Sequence, residues 1–458
     1  MNLKTDENTA AIMNTDSNSV SNPAPINTTM PGYDPALSAV RAFTSKPPKI
    51  KVFNHDKFDF IFSLIYFALG YIFTYILISN HHYSMTSAFT VIYAAVVLLY
   101  CYSKKIKPAK ESWFWLIIML TIGVPYYFWS ILSIFQFLML IIVAAYWTLC
   151  VTGNLLCGGM TSSCLITDVF NSLCVVPFSN MDAQLRIVFT NLKKTKQGLL
   201  LTQIFIGLLI SIPVLLIILP KLASADLRFD GIMEQMLNYI ESNFMTIIFR
   251  FVLSLPVSLF LFGLIYGGIH KRNTSVYKYS ELRKNADHLR KLPNGIILTP
   301  LFLICIFYGI FIALQGDYLF MAFRGILPEN LTYAEYARQG FFELCQIAGI
   351  NAAFLTIANI FARDQHEHNL FLKIMNIILS VLTLLLIATA MSKMVLYISV
   401  YHFTAKRIIA SMFMIWMTTI FIMTILWQKK KFPIFKWCIF SGAICFSLLC
   451  IIPFEWWL

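Results

Sequence analysis

The chain has 458 residues, of which 58% are hydrophobic and 12% are charged. Soluble domains average roughly 45–50% apolar and roughly 25% charged residues, so a soluble globular fold is excluded. The formal net charge is +13. A basic balance suits nucleic-acid binding as well as membrane topology. Here the charges lie between apolar runs, which favours membrane topology.

Residues 1–50 form a polar tail rich in Asn, Thr, Ser and Pro, and the lack of an apolar run predicts disorder. The tail has no h-region of a cleavable signal peptide, so we expect the first apolar run, 58–79, to act as the insertion signal. We predict first transmembrane helices in 51–152 and a cytoplasmic or interfacial amphipathic segment in 153–198. A second transmembrane bundle is predicted in 199–458.

Ten further apolar runs follow the first. Each except 113–127 approaches the roughly 20 residues that cross a hydrocarbon core. Backbone groups in lipid need internal hydrogen bonds, so we predict an all-α polytopic transmembrane bundle of about 11 helices. The ten runs are 85–102, 113–127, 130–151, 199–219, 245–269, 296–315, 340–361, 371–391, 408–427 and 437–452.

Residues 113–151 form one apolar stretch, which as a single helix would be about 58 Å long, too long for one crossing. Gly123 and Pro125 predict a hairpin inside it. With this hairpin and a cytoplasmic N-terminus, 26 Lys and Arg residues lie inside and 8 outside, ignoring the distant Lys4. Without the hairpin each side holds 17. The positive-inside rule therefore favours eleven crossings of the plasma membrane, with the N-terminus inside and the C-terminus outside.

Two inside segments have features of their own. Leu165, Val169, Leu173 and Val176 recur at helical spacing, which predicts an interfacial amphipathic helix. The loop 270–293 is the most basic; its simplest role is as a topology signal. A second role is contact with anionic lipid headgroups. The residues available for that contact are Lys271, Arg272, Lys278, Arg283, Lys284, Arg290 and Lys291. Gly263 and Gly267 form a G-x-x-x-G motif, which permits close helix packing.

Polar residues collect on the predicted outer side of the C-terminal half. Tyr336, Gln339, Glu343 and Gln346 follow one face of the eighth predicted helix. Ionisable groups in membrane spans usually face a protein interior or a wet cavity. We therefore predict an outward-facing polar pocket among the seventh to tenth helices, and its excess of basic groups favours an anion. Its residues are Gln315, Asp317, Tyr336, Arg338, Gln339, Glu343, Gln346, Lys393, Tyr397 and Arg407.

A purely structural interpretation of the same residues stands beside this one. Tyr, Lys and Arg concentrate at the helix ends of membrane proteins in any case. Glu335 and Arg338 have the spacing of an ordinary surface pair. Glu343 would then pair with Arg338 or Arg250 to neutralise its charge, and it would bind no ligand.

Three segments of the C-terminal half resemble a bacterial membrane family. The run LTYAEYARQGFFE, residues 331–343, is similar to the hallmark of the domain of unknown function 4153/4173 group. IFIALQGDYLF, residues 310–320, resembles its aromatic-rich helix end. LYISVYHFTAKR, residues 396–407, resembles its LY…YGLT…R element, with His402 in place of Gly; Lys393 also stands in place of Arg. The resemblance covers about residues 295–425 and implies a bacterial membrane protein without a known activity.

Chemical signatures are lacking: there is no H-E-x-x-H, Walker A or G-x-S-x-G motif. The ten cysteines lie mostly in apolar runs without a C-x-x-C pair, so we predict neither disulfides nor zinc. His366 and His368 favour a solvated loop over a metal site. We expect no cofactor and no catalytic residue, which argues against an enzyme.

Three functions stay open. The first is binding or transport of an anionic or lipid-like solute at the outer pocket. The second is a membrane-embedded regulator or scaffold that docks cytoplasmic partners. The third is an envelope or lipid-modifying enzyme with Glu335 or Glu343 as base. A cavity among the seventh to tenth helices would favour the first or third function, and a solid bundle the second.

Overall fold

The computed structural model describes residues 55–78, 83–125, 133–193, scattered positions between 198 and 221, 245–275, 279–281, 284, 293–325, 332–338, 341–361 and 370–452. The predicted tail 1–50, most of the predicted helix 199–219 and most of the basic loop lie outside these residues. Throughout the described part of the chain the regular elements are helices. This confirms the all-α prediction.

The described helices, numbered in chain order, are mostly long and apolar. They are α1 (Lys57–Ile78), α2 (Tyr83–Ser103), α3 (Ser112–Gly123), α4 (Ser133–Val151), α5 (Leu165–Phe170), α6 (Val176–Asn180), α7 (Asp182–Leu192), α8 (Met245–Ile269), α9 (Asn294–Phe320), α10 (Tyr333–Arg338), α11 (Phe341–Phe361), α12 (Leu370–Tyr401), α13 (Ala405–Lys429) and α14 (Ile434–Ile451). A π-helical turn, Asn171–Val175, joins α5 to α6. A 3₁₀ turn, Met321–Arg324, follows α9.

Among the described residues, nine helical segments are long and apolar enough to cross a membrane, with α10 and α11 together making one of them. The short apolar helix α3 is a tenth apolar element. A chain with this many apolar helices is a multi-pass membrane protein. The count of eleven crossings and the orientation of the termini stay predictions.

The long apolar stretch 113–151 contains two helices, as the hairpin prediction required. Gln136, near the start of α4, donates from Nε2 to the carbonyl of Ile122, at the end of α3, over 2.7 Å. At the opposite ends, Trp115 of α3 and Tyr146 of α4 both donate to the hydroxyl of Thr161, each over 3.0 Å. Helices α3 and α4 are therefore antiparallel neighbours, and the start of α3 lies beside the end of α4.

The described helices form two groups. In the N-terminal group α8 packs against α1, α4, α6 and α7. In the C-terminal group α12 contacts α9, α10, α11 and α13, and α13 contacts α14. The groups meet where α14 packs against α3. At that contact the rings of Phe114 and Phe440 stack with centroids 4.2 Å apart.

The segment 165–192 is helical, as the apolar spacing of residues 165–176 predicted, with a π-helical turn at Asn171–Val175. It forms the three short helices α5, α6 and α7. Gln184 of α7 is fully buried, and its Nε2 donates to the carbonyl of Ser63 and to the hydroxyl of Ser258, both over 2.8 Å. Since Ser63 belongs to α1 and Ser258 to α8, the helix α7 packs against both of these helices.

The G-x-x-x-G motif on α8 makes this packing possible. A Cβ added at Gly263 would lie 2.6 Å from the carbonyl oxygen of Pro177, and one at Gly267 would lie 2.5 Å from Nδ2 of Asn180. Both neighbours belong to α6. The motif thus receives a short inserted helix rather than a second membrane-spanning helix.

Candidate functional site

Lys393 is the most unusual of the predicted outer-side residues because it is buried within a membrane-spanning helix. Its side chain is 1% exposed, and its Nζ lies 4.6 Å from the centre of the fully buried Tyr336 ring. An ammonium above an aromatic face is stabilised electrostatically, and more strongly where water is excluded. This contact fixes the short helix α10 against α12.

The other members of the predicted polar face are divided. Glu343 of α11 is exposed, yet it is close enough to Lys393 to interact electrostatically. Gln346, on the same helix, and Gln315, on α9, are exposed as well. The structure therefore brings Tyr336, Lys393 and Glu343 together and leaves Gln315 and Gln346 on the surface. Helical spacing places side chains on a shared face, but the packing of the neighbouring helices decides which part of that face is buried.

Three residues of the prediction have less described detail. Asp317 and Arg338 have helical backbone at the ends of α9 and α10. Gln339 lies outside the described residues, as do His366 and His368.

Arg407 supports the turn between α12 and α13. Its guanidinium lies 4.0 Å from the ring centre of Tyr397 and 5.8 Å from that of Tyr401. Its Nη1 donates to the carbonyls of Tyr401, over 2.7 Å, and His402, over 2.5 Å. His402 has a φ of 60°, in the left-handed region that glycine prefers. These contacts explain Arg407 and Tyr397 as residues that hold a strained turn closed.

Glu335 also has a structural explanation. Its carboxylate accepts the backbone N–H and the hydroxyl of Thr332, over 3.0 and 2.8 Å, while the Thr332 hydroxyl accepts the N–H of Glu335. This reciprocal arrangement is a capping box at the start of α10. The hallmark run thus begins with a helix start signal, and Glu335 is engaged as a cap rather than presented as a base.

The space among α9, α11, α12 and α13 is filled by a packed core. Its buried members include Leu301, Leu344, Leu379, Leu386 and Phe421. A short polar chain crosses it: Tyr308 donates to Asn351 over 2.9 Å, and Asn351 donates to Thr383 over 2.9 Å. Buried polar groups that are paired in this way specify helix register. This core and its polar chain hold α9, α11, α12 and α13 together.

The N-terminal group of helices contains a charged cluster that the sequence did not single out. Asp59 of α1 is fully buried. Its Oδ1 lies 2.8 Å from Nζ of Lys104 and 3.4 Å from Nε2 of His270, and it accepts the Tyr100 hydroxyl over 2.6 Å. Its Oδ2 accepts the N–H of Asp56 over 2.8 Å. The available signal was an acidic residue just inside the first apolar run, which is costly unless paired.

A second ion pair joins the two helix groups. Lys436, at the start of α14, pairs with Glu111, directly before α3. Glu111 also accepts the backbone N–H of Thr161 over 2.8 Å. The structure thus places Lys436 with Glu111 and Thr161 at one end of the bundle. Which side of the membrane this end faces stays a prediction.

Asp168 of α5 belongs to the same end and is fully buried. Its Oδ1 accepts the N–H of Leu156 over 3.0 Å. Its Oδ2 is buried and has no hydrogen-bond partner among the described residues. Burial raises the pKa of this carboxyl to about 6, and the Leu156 hydrogen bond offsets only part of that effect.

Two apolar clefts of the described structure are large enough to hold a ligand. One, of about 370 Å³, is lined by α1, α2, α4, α6 and α8, with Phe73, Phe89, Phe137 and Phe260 on its walls. The other, of about 520 Å³, lies between the two helix groups, and we refer to it as the inter-group cleft. Its lining includes Trp115, Phe135, Tyr146, Leu165, Val169, Ile409, Met412, Phe413, Trp416, Ala443, Phe446 and Leu449. Neither is lined by residues of α9, α11 or α12.

In the described part of the chain, no group of three or more His, Cys, Asp or Glu residues could hold a metal ion. Of the basic loop, Lys271, Arg272 and Lys284 are described. Arg272 donates to Asp182 of α7 over 3.1 Å, which ties the loop to the inserted segment.

The helices, their apolar surfaces and their paired interior charges define a multi-pass α-helical integral membrane protein. The chain belongs to the family described as Domain of unknown function (DUF4153), whose model matches residues 113–458. This confirms the family resemblance and extends it from the C-terminal half to α3. Comparison with curated proteins and with solved structures gives no match.

Proposed function

We propose that this protein binds a lipid-like amphiphile whose hydrocarbon chain occupies the inter-group cleft. The cleft carries the proposal: its volume of about 520 Å³ lies in the range of ligand sites, roughly 300–1,000 Å³. Its walls are almost wholly apolar and come from helices of both groups. In a bilayer, the group available to fill a cleft with apolar walls is the hydrocarbon chain of a lipid.

The polar end of the cleft supports an amphiphile rather than a plain hydrocarbon. Trp115 and Tyr146 line the cleft, and both donate to Thr161. The Glu111–Lys436 pair lies at this end as well, since Glu111 also binds Thr161. The Lys436 side chain is 21% exposed, compared with 13% for Glu111. We infer that this partly exposed ammonium, although paired with Glu111, also contacts a negatively charged headgroup, which favours an anionic lipid.

A pair of neighbouring substitutions on α14 tests the proposal. Ala443 lines the cleft, whereas Ile444 is exposed on the outer surface of the helix. Ala443→Phe should fill the cleft and lower the amount of lipid that remains bound to the protein through purification, measured by native mass spectrometry. Ile444→Phe should leave lipid retention unchanged. Equal retention in both variants, with both proteins folded, contradicts the proposal.

A second candidate is the anion site proposed from the sequence at the outer side, centred on Lys393. The observation in its favour is that an ammonium is buried beside Tyr336 and near the exposed Glu343. Lys393→Arg, which restores the family residue, should preserve anion binding, and Lys393→Met should abolish it while the protein still folds. An unaltered cellular phenotype of Lys393→Met removes this candidate. A regulator or scaffold, favoured by the packed core of the C-terminal group, would instead tolerate both Lys393→Met and Ala443→Phe.

A further inference from the structure

The buried carboxyl group of Asp168 is not fully hydrogen-bonded, and the proposed function gives it no role. One carboxyl oxygen has a donor in the Leu156 N–H, and the other is buried without a donor among the described residues. An ionised carboxylate needs donors or cations at both oxygens, and burial without them is costly. A neutral carboxylic acid carries no charge, so its burial with one hydrogen bond costs much less.

The groups around Asp168 do not neutralise a negative charge. From α4, Tyr146 and Cys150 interact with it electrostatically, and Cys164 does so from the turn before α5. None of these is a cation. Glu111 is near the same tyrosine and cysteine and adds negative charge, and its own partner is Lys436.

The backbone that follows Asp168 has an unusual conformation. The π-helical turn Asn171–Val175 begins directly after α5, and such turns are frequent at functional sites. Asn171, one turn after Asp168, is almost fully buried, and its Oδ1 also has no partner among the described residues. Two buried acceptors without donors on consecutive turns indicate that a hydrogen-bearing species belongs here.

We propose that Asp168 is a proton-binding site whose occupancy controls the wall of the inter-group cleft. A proton from solution adds to Oδ2 and converts the carboxylate to the neutral acid. Leu165 and Val169, on either side of Asp168 in α5, line the cleft. Loss of the proton leaves an unpaired buried charge, which disfavours the packed position of α5 and so displaces these two side chains. The proton site itself does not depend on what occupies the cleft.

Asp168→Asn tests the site, because the amide has the shape of the neutral acid and cannot ionise. Wild-type protein should lose thermal stability as pH rises from 5 to 8, since the folded state holds the proton up to about pH 6 and the unfolded state releases it at lower pH. Asp168→Asn should lack this part of the pH dependence. Asp182→Asn, in the same segment but half-exposed and paired with Arg272, should retain it.

Infrared difference spectra supply a readout that a structural role would not move. A carboxylic acid C=O band present at pH 5 and lost at pH 8 in the wild type should be absent in Asp168→Asn. If that variant does not accumulate, Asp168→Ser serves for the same comparison. Identical pH profiles and identical bands in wild type and variant overturn the proton site.

The link to the cleft has its own measurement. Leu165→Cys, in a background without the native cysteines, should react with an apolar thiol reagent faster at pH 8 than at pH 5. Adding Asp168→Asn should remove the difference. A labelling rate that is independent of pH while the carboxylic acid band still titrates refutes the link. Lipid retention is not measured, so these outcomes stand apart from those of the proposed function.

Discussion

The buried charge of Asp59 makes the stability of the N-terminal group depend on one lysine. Lys104 lies 2.8 Å from the carboxylate and is 10% exposed, so the pair is shielded from water. Removing one partner of a buried pair typically costs about 3–5 kcal/mol, because the remaining charge is left without compensation. Asp59 keeps the Tyr100 hydroxyl, the Asp56 N–H and His270 at 3.4 Å. We therefore expect Lys104→Met to cost about 3 kcal/mol, the lower end of that range.

The adjacent residue provides a matched control. Lys105 is exposed, and Lys105→Met makes the same chemical change one position along the chain. We expect it to cost less than about 0.5 kcal/mol, as exposed substitutions usually do. Unfolding can be followed by loss of helicity during titration of the micellar protein with a denaturing detergent. Asp59→Asn added to Lys104→Met should recover part of the loss, with a coupling of about 0.5–3 kcal/mol. Equal stability of the two lysine variants would refute the reasoning.

Three further predictions concern helix packing, the turn and topology. Gly263→Ala should destabilise the protein by about 1–3 kcal/mol, because its Cβ meets backbone of α6; Gly309→Ala, with open space around it, should not, and equal effects would contradict the packing argument. His402→Gly should raise stability by up to about 1 kcal/mol in a thermal melt, since relief of the left-handed backbone, roughly 1–2 kcal/mol, exceeds the entropic cost of glycine, roughly 0.5–1 kcal/mol; a clear loss would show that the histidine side chain has another role. Reporter fusions after Lys110 and Lys431 should read cytoplasmic, and a fusion at the C-terminus external; a cytoplasmic C-terminus would exclude eleven crossings.

The sequence sufficed for the helices because length and hydropathy decide what crosses a bilayer. It also predicted the α3–α4 hairpin, since a 39-residue helix does not fit one crossing and charge counting favoured two. The packing of the segment α5–α7 could not be predicted, because its buried residues contact partners on α1 and α8 that no local pattern specifies. Gln184 looks like an ordinary loop residue until Ser63 and Ser258 are placed beside it.

The candidate site was harder for the same reason. The polar spacing from Tyr336 to Gln346 suggested one helical face, and the spacing could not show that Tyr336 is buried while Glu343 and Gln346 are exposed. Lys393 and Tyr336 were both selected, yet their direct contact follows from the packing of α10 on α12. Asp59 and Asp168 were visible as acidic residues, and what makes them notable, their burial and their partners, is a property of the fold alone.

The contact between α3 and α14 sets an order of events during synthesis. Glu111 and Lys436 are separated by 325 positions, and they join the first helix of the family region to the last. The inter-group cleft has walls from both helices, so it does not exist until α14 has been synthesised and inserted. Helices α1 to α13 must therefore enter the membrane with one flank open to lipid. A bilayer lipid already present at that flank would be enclosed as α14 closes against α3, and the protein would leave the insertion machinery with its first ligand in place.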